Sequence, residues 1–357
     1  MPQTVNQKRL LWPDVLRDVS ALAVVLIHVS SYYVEKVLPY GSFGWFCADL
    51  YLALCRFAVP VFVMISGFFF LNPAKAVSVK DIYRKYIWRM LTVWLFWAAV
   101  RTAILSVWLG QVPPAGWLQA FWMSLITYWF LPMIMALYAF TPVLRVLTAA
   151  QNKKILLYFI CLCFTMALCL PVLQSVSSGG WGSFVTLFNT LLKLSLPVFA
   201  AHFMFGYYAG TFALGRRAKT WLYVSAVLSV LLMAAGGYAF FADKSSRWYY
   251  YAMHGSSISP LAFLLGAAVF VLAKDTLEKA RFSPRFISAV QRVAYYSLGV
   301  YMLHLIAVET LGHFKVFDGV SALPVLTVPL WAVLIFAGSA AVIGLLYKIP
   351  FFRKYFL

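Results

Sequence analysis

The chain has 357 residues, of which 64% are apolar, 18% aromatic and only 11% charged. A soluble domain has about 45–50% apolar and about 25% charged residues, so this composition excludes an ordinary soluble protein. The net charge of +19 would suggest nucleic-acid binding in a soluble protein. Here the basic residues cluster in short segments between apolar runs, which is typical of membrane proteins. We therefore expect membrane lipids and no nucleic acid as partners.

Apolar runs of about 20 residues, the length that crosses a bilayer as a helix, follow one another along the whole chain. They are continuous rather than alternating, which favours helices over a β-barrel. We predict an all-α polytopic membrane bundle of about ten transmembrane helices, with residues 1–357 as one integral membrane domain. The predicted spans are 15–34, 45–71, 87–109, 118–147, 154–173, 184–214, 219–242, 248–273, 291–311 and 322–347.

Lysine and arginine are distributed unevenly over the segments that join these spans. With the N-terminus inside, twenty fall on the inner side and four on the outer side, so the positive-inside rule predicts that both termini are cytoplasmic. The outer four are Lys36, Lys244, Arg247 and Lys315. Five more lie within or at the ends of spans: Arg17, Arg56, Arg89, Arg101 and Lys193.

The first span carries two polar residues that lipid disfavours, Arg17 and His28. They are eleven residues apart, which places them on one helix face and about 16 Å apart along the axis. With a cytoplasmic N-terminus, Arg17 lies near the inner interface and His28 past the bilayer centre. A fixed cation and a titratable base so arranged suit a long ligand with an anionic head and a reactive far end, such as acyl-coenzyme A. His28 would be the general base that acts on an acceptor hydroxyl.

Other interpretations of these residues stay open at this point. Arg17 can be an interfacial anchor paired with Asp14, and His28 can hydrogen-bond between helices. A transporter or flippase for a lipid-linked saccharide or an organic anion also carries charged residues in its spans. The five cysteines lie in apolar runs, where packing is their usual role. We predict no metal site and no permanently bound cofactor.

Four stretches in chain order resemble acyltransferase family 3, the integral membrane O-acyltransferases of bacteria, and are most similar to its surface polysaccharide O-acetyltransferase branch. In "DVLRDVSALAVVLIHVS", Arg17 and His28 match the family's basic residue, ten intervening residues and histidine. The other three stretches are "VPVFVMISGFFF" (Val59–Phe70), "YWFLPMIMALYAFTPVLR" (Tyr128–Arg145) and "YYSLGVYMLH" (Tyr295–His304).

This resemblance implies an enzyme in the bacterial inner membrane. Its activity would be transfer of an acyl group, with acetyl the first expectation, from cytoplasmic acyl-CoA to a hydroxyl of a cell-surface or lipid-linked glycan. Acyl-CoA, first of all acetyl-CoA, would then be a donor substrate. Direct transfer and a covalent acyl-enzyme route both remain open.

The donor side departs from the family pattern, which often has an R-x-x-R pair at the start of the third span. Here "YRKYIWRM" gives Arg84, Lys85 and Arg89 without that spacing. We expect these three to bind CoA phosphates together with Arg17, although inner-leaflet headgroups would use the same charges. A histidine that often precedes W-F-L in this branch is replaced by Thr127 and Tyr128.

On the acceptor side, Tyr301 and His304 lie one turn apart in the last of the four stretches. We expect them to bind the acceptor, with helix packing as the alternative. Glu309 follows near the outer end of the same span and would orient the acceptor or lie among headgroups. Aromatic residues at outer span ends would contact sugar rings or form an interfacial belt: Trp45, Trp117, Trp181, Trp248, Tyr249 and Tyr250.

Overall fold

The structure is a computed structural model that describes residues 10–75, 77–176, 196–242, 259–318 and 323–356. All regular secondary structure in these ranges is helical, which confirms the predicted all-α membrane bundle. The longer helices are α1 (Trp12–Tyr32), α2 (Phe43–Cys55), α3 (Ala58–Phe70), α4 (Trp88–Ala103), α5 (Trp117–Thr127), α6 (Phe130–Ala149), α7 (Lys153–Val176), α8 (Leu196–Thr211), α9 (Arg216–Ala242), α10 (Pro260–Leu277), α11 (Pro284–His313) and α12 (Pro324–Leu346). Short helical turns extend α1 and α4, and a short helix, Pro350–Tyr355, follows α12.

Within the described ranges, seven helices or helix pairs are long and apolar enough to cross a membrane. This result supports a multi-pass protein, while the count of ten stays a prediction. Parts of the predicted spans 184–214 and 248–273 lie outside the described residues, as do Lys193, Lys244 and Arg247. The seven are Trp12–Val37, Phe43–Phe70, Val79–Trp108, Phe130–Ala149, Arg216–Ala239, Pro260–Leu277 and Pro324–Leu346.

Two predicted spans are broken rather than continuous. Span 45–71 divides after Cys55, and span 118–147 divides at Tyr128 and Trp129. Each break lies four residues before a proline, Pro60 or Pro132. A proline ring clashes with the carbonyl four residues earlier and lacks an N–H for that carbonyl, so the helix ends there and a new one begins.

The first helix lies inside the bundle and runs parallel to α11. Near their C-terminal ends, the Tyr32 hydroxyl donates to the Gly312 carbonyl at 3.1 Å. Two turns earlier on α11, the ring of His304 contacts the ring of His28 at a centroid distance of 5.2 Å. Successive contacts in the same chain direction fix the register of α1 against α11.

The residues that follow α12 lie at the same end of the bundle as the start of α1. The hydroxyl of Tyr347, just after α12, donates to the Tyr295 carbonyl in the first half of α11. The indole of Trp97 and the hydroxyl of Thr92, both on α4, donate to the Phe356 and Tyr355 carbonyls, each at 3.0 Å. The described N-terminal and C-terminal residues therefore lie at one end of the bundle. We call it the basic end, after Arg84, Lys85, Arg89, Arg285, Arg292, Lys348, Arg353 and Lys354.

Candidate functional site

A cavity of about 110 Å³ lies between α1, α3, α6 and α11 and has Arg17 in its wall. Each of the four stretches that carry the family resemblance contributes to its lining. The polar members are Arg17 on α1, Ser66 on α3, Tyr138 on α6, and Ser297 and Tyr301 on α11. Segments that are far apart in the chain therefore form one chamber, which is what a binding site requires.

Backbone packing between α3 and α8 positions Ser66 at this cavity. A Cβ atom on Gly67 would overlap the Phe203 carbonyl, and one on Gly206 would overlap the Met64 carbonyl. Small residues allow helix backbones in a membrane to approach this closely. The glycine that follows Ser66 is therefore required by the packing of α3 on α8.

Arg17 is paired with Asp14 and also lines the cavity, so the structure contains both environments that the sequence suggested for it. Its guanidinium forms an ion pair with the buried carboxylate of Asp14 at 3.2 Å and lies over the ring of Phe69 at 5.5 Å. It also lines the cavity, and its side chain keeps 33% of its exposure. The Asp14 contact orients the guanidinium without enclosing it, so a charged ligand in the cavity can reach it.

His28 and His304 form a pair of rings deep in the bundle. Their centroids are 5.2 Å apart, and His304 is fully buried, with its Nδ1 3.1 Å from the Val300 carbonyl oxygen. The ring of Tyr301 contacts His304 at 5.6 Å and also lines the cavity. Tyr301 lines the cavity, whereas His304 and His28 do not, so the ring contacts Tyr301–His304–His28 link the cavity with the predicted base.

The break between α2 and α3 places Arg56 near the same histidine. The Arg56 charge interacts electrostatically with His28 and with the buried Asp49 on α2. His28, Arg56 and Asp49 therefore lie close together in the bundle. Pro60 was the sequence signal for this break, since its ring excludes a helical bond to the carbonyl of Arg56, the residue just after α2.

The predicted phosphate-binding cations lie at the basic end but outside the cavity wall. Arg84, Lys85 and Arg89 are exposed, and Lys85 forms an ion pair with Asp81 at 2.7 Å. Met90, the neighbour of Arg89, lines the cavity. The three cations are therefore exposed beside the chamber and are not part of its wall.

Glu309 lies towards the C-terminal end of α11 and is bound to an arginine from another helix. Arg101 donates from Nε to Oε2 at 2.9 Å and from Nη2 to Oε1 at 2.5 Å. Arg101 also donates from Nη1 to the Ser124 hydroxyl at 2.9 Å. The predicted role of Glu309 in orienting an acceptor is untested, and its carboxylate is committed to this pair in the free protein. Arg101 had no predicted role, although an arginine near the end of an apolar run was the available signal.

The predicted aromatic contacts for sugar are partly outside the described residues, namely Trp181, Trp248, Tyr249 and Tyr250. Trp45 is fully buried, and its indole N–H donates to the Val34 carbonyl at 3.2 Å. Its ring packs on Tyr40 and Phe241, so it is a core residue rather than a sugar contact. Trp117 is 46% exposed.

Comparison with known proteins gives one match. The model of a family described as an acyltransferase domain matches residues 10–348, nearly the whole chain. No curated protein and no solved structure matches. The matched range contains all four resembling stretches and every predicted site residue.

Proposed function

Because the chain belongs to acyltransferase family 3 and is a multi-pass membrane acyltransferase, we propose that it transfers an acyl group from cytoplasmic acyl-CoA to a hydroxyl of a cell-surface or lipid-linked glycan. The acyl group that we expect first is acetyl. The proposal places the protein in the bacterial inner membrane with both termini cytoplasmic. The observation that carries it is the chamber with Arg17 in its wall, connected through Tyr301 and His304 to His28.

The donor enters from the basic end. Arg17 offers a guanidinium whose geometry suits a phosphate, and Arg84, Lys85 and Arg89 raise the local concentration of an anionic ligand. The apolar part of the chamber wall, including Phe62, Phe130 and Ile134, suits the pantetheine arm. The thioester then lies deeper than the phosphates, on the side of His28.

The chemical step is an attack of the acceptor hydroxyl on the thioester. His28 takes the hydroxyl proton as the oxygen forms a bond to the carbonyl carbon. The carbon–sulfur bond then breaks, and the CoA thiolate leaves with the proton that His28 returns. Tyr301, His304 and Glu309 are the candidate residues on the acceptor side.

The test is transfer by purified protein in nanodiscs, measured with labelled acetyl-CoA and a glycan extract. We expect His28→Ala to lose about 10²–10⁴-fold in turnover, the usual contribution of a general base. The matched control is His313→Ala, because His313 is exposed and contacts Gln111 at 2.9 Å away from the chamber. Near-normal turnover in His28→Ala would remove His28 from the mechanism.

The acceptor side is tested with vesicles of both orientations that receive labelled acetyl-CoA. We expect label on glycan that faces away from the CoA compartment. A separate test is mass spectrometry of surface glycans, which should lack an acyl group in cells without the protein. Label on a cytoplasmic acceptor alone would contradict the cross-membrane route and leave acyl transfer itself intact.

A further inference from the structure

The hydrogen bond of His304 to its own helix determines which ring nitrogen carries the proton. Nδ1 lies 3.1 Å from the Val300 carbonyl oxygen, which can only accept a hydrogen bond, so Nδ1 is the N–H donor. In a neutral imidazole, Nε2 then carries a lone pair. This Nε2 is buried and has no hydrogen-bond partner among the described residues. It is an acceptor without a donor in the protein interior, which is costly unless a donor approaches.

Among the predicted site residues, His28 has the ring centroid nearest to that of His304, at 5.2 Å against 5.6 Å for Tyr301. The centroid distance of 5.2 Å and the 49° angle between the rings suit two imidazoles joined by an N–H···N hydrogen bond of about 3 Å. The bond is not formed in the described geometry. Rotation about χ2, a soft torsion in histidine, changes which atoms of the two rings face each other without moving either helix.

We propose that His304 is a positioning residue for His28, an inference that rests on the proposed acyl transfer. Nε2 of His304 accepts the N–H of His28 and so keeps the other nitrogen of His28 unprotonated and directed at the acceptor hydroxyl. When His28 takes the hydroxyl proton, the bond to His304 becomes charge-assisted and stronger. His28 then gives the proton to the CoA thiolate, and His304 gains and loses none.

Two substitutions at His304 distinguish the role of Nδ1 from the role of Nε2. Asparagine places an N–H near the position of Nδ1 and keeps the Val300 bond, but it has no acceptor near Nε2. Glutamine is longer and reaches the position of Nε2 with its amide oxygen. We expect His304→Asn to lower kcat about 10- to 100-fold, as loss of a hydrogen bond to a charged group predicts, with the KM for acceptor nearly unchanged. His304→Gln should restore most of kcat.

His202 is the matched control for these variants. It is also fully buried, with Nδ1 2.7 Å from the Val198 carbonyl oxygen and Nε2 without a partner in the described residues. Its ring packs on Phe199 and Phe263 rather than on a histidine. His202→Asn should therefore leave kcat unchanged. Equal losses in both His304 variants, or a raised KM for acceptor alone, would overturn the positioning role.

A second measurement does not depend on activity. The chain has five histidines, so ¹⁵N-histidine NMR of the protein in nanodiscs gives an assignable set of signals. We expect a single tautomer for His28 in the unmodified protein and in His304→Gln, and a mixture of tautomers in His304→Asn. An unchanged His28 signal in His304→Asn would refute the inference. Absence of acyl transfer by the unmodified protein, with the tautomer shift present, would count against the proposed function alone.

Discussion

Variants of the ion pair between Arg101 and Glu309 distinguish two roles for Glu309, contact with the acceptor and stabilisation of the bundle. Glu309→Gln removes the negative charge and leaves the guanidinium of Arg101, whose side chain is only 12% exposed, without its counter-ion. Breaking a buried pair costs about 3–5 kcal/mol. Because the Glu309 side chain is 30% exposed, water compensates in part, and we expect a loss of about 2–3 kcal/mol.

The assay is a double-mutant cycle on unfolding in mixed detergent micelles. The variants are Glu309→Gln, Arg101→Met and the double variant, which removes both charges and leaves no unpaired ion. We expect the double variant to be less destabilised than the sum of the single variants by about 2 kcal/mol, within the range of contacting residues. A coupling energy below about 0.5 kcal/mol, the limit for independent sites, would refute this reasoning.

Acyl transfer by the same three variants tests the predicted acceptor role. If Glu309 acts only through the pair, Glu309→Gln and Arg101→Met lower turnover by similar factors, and the double variant loses no more than either one. A KM for acceptor raised in Glu309→Gln and not in Arg101→Met would show direct contact with the acceptor.

Three further outcomes are expected. Arg17→Ala should raise the KM for acyl-CoA more than it lowers kcat, and Arg17→Lys should recover it in part, because an ammonium lacks the planar fork; an unchanged KM would leave Arg17 as an anchor of α1. Reporter fusions in loop 38–42 should report the outer side and those in loop 150–152 the cytoplasm, and a shared side would contradict the topology. Gly67→Val should destabilise the protein by about 1–3 kcal/mol through overpacking, measured by thermal unfolding, whereas Gly215→Ala, which meets only open space, should be neutral.

The relative placement of Arg17 and His28 could be predicted from the sequence because α1 is one regular helix and its periodicity is local. The pairing of His28 with His304 could not, since their contact joins the first helix to one near the end of the chain and depends on how every helix between them packs. The pair of Arg101 with Glu309, which are 208 residues apart, could not be predicted for the same reason. Hydropathy also joined α2 with α3 and α5 with α6, because it does not register the steric effect of Pro60 and Pro132 on the carbonyls before them.

The parallel contact of α1 with α11 has a consequence for how the protein is made. Tyr32 and Gly312 are 280 residues apart, and a ribosome adds about 5–20 residues per second. The first helix therefore waits in the membrane for a time on the order of tens of seconds before the helix that completes its polar face is inserted. Throughout that interval Arg17 has Asp14 on its own helix as a partner, whereas His28 needs temporary partners from insertion machinery or from neighbouring helices. A chain that stops between α1 and α11 carries the predicted base but lacks one wall of the chamber, so with the proposed site we expect activity only in the last stage of synthesis.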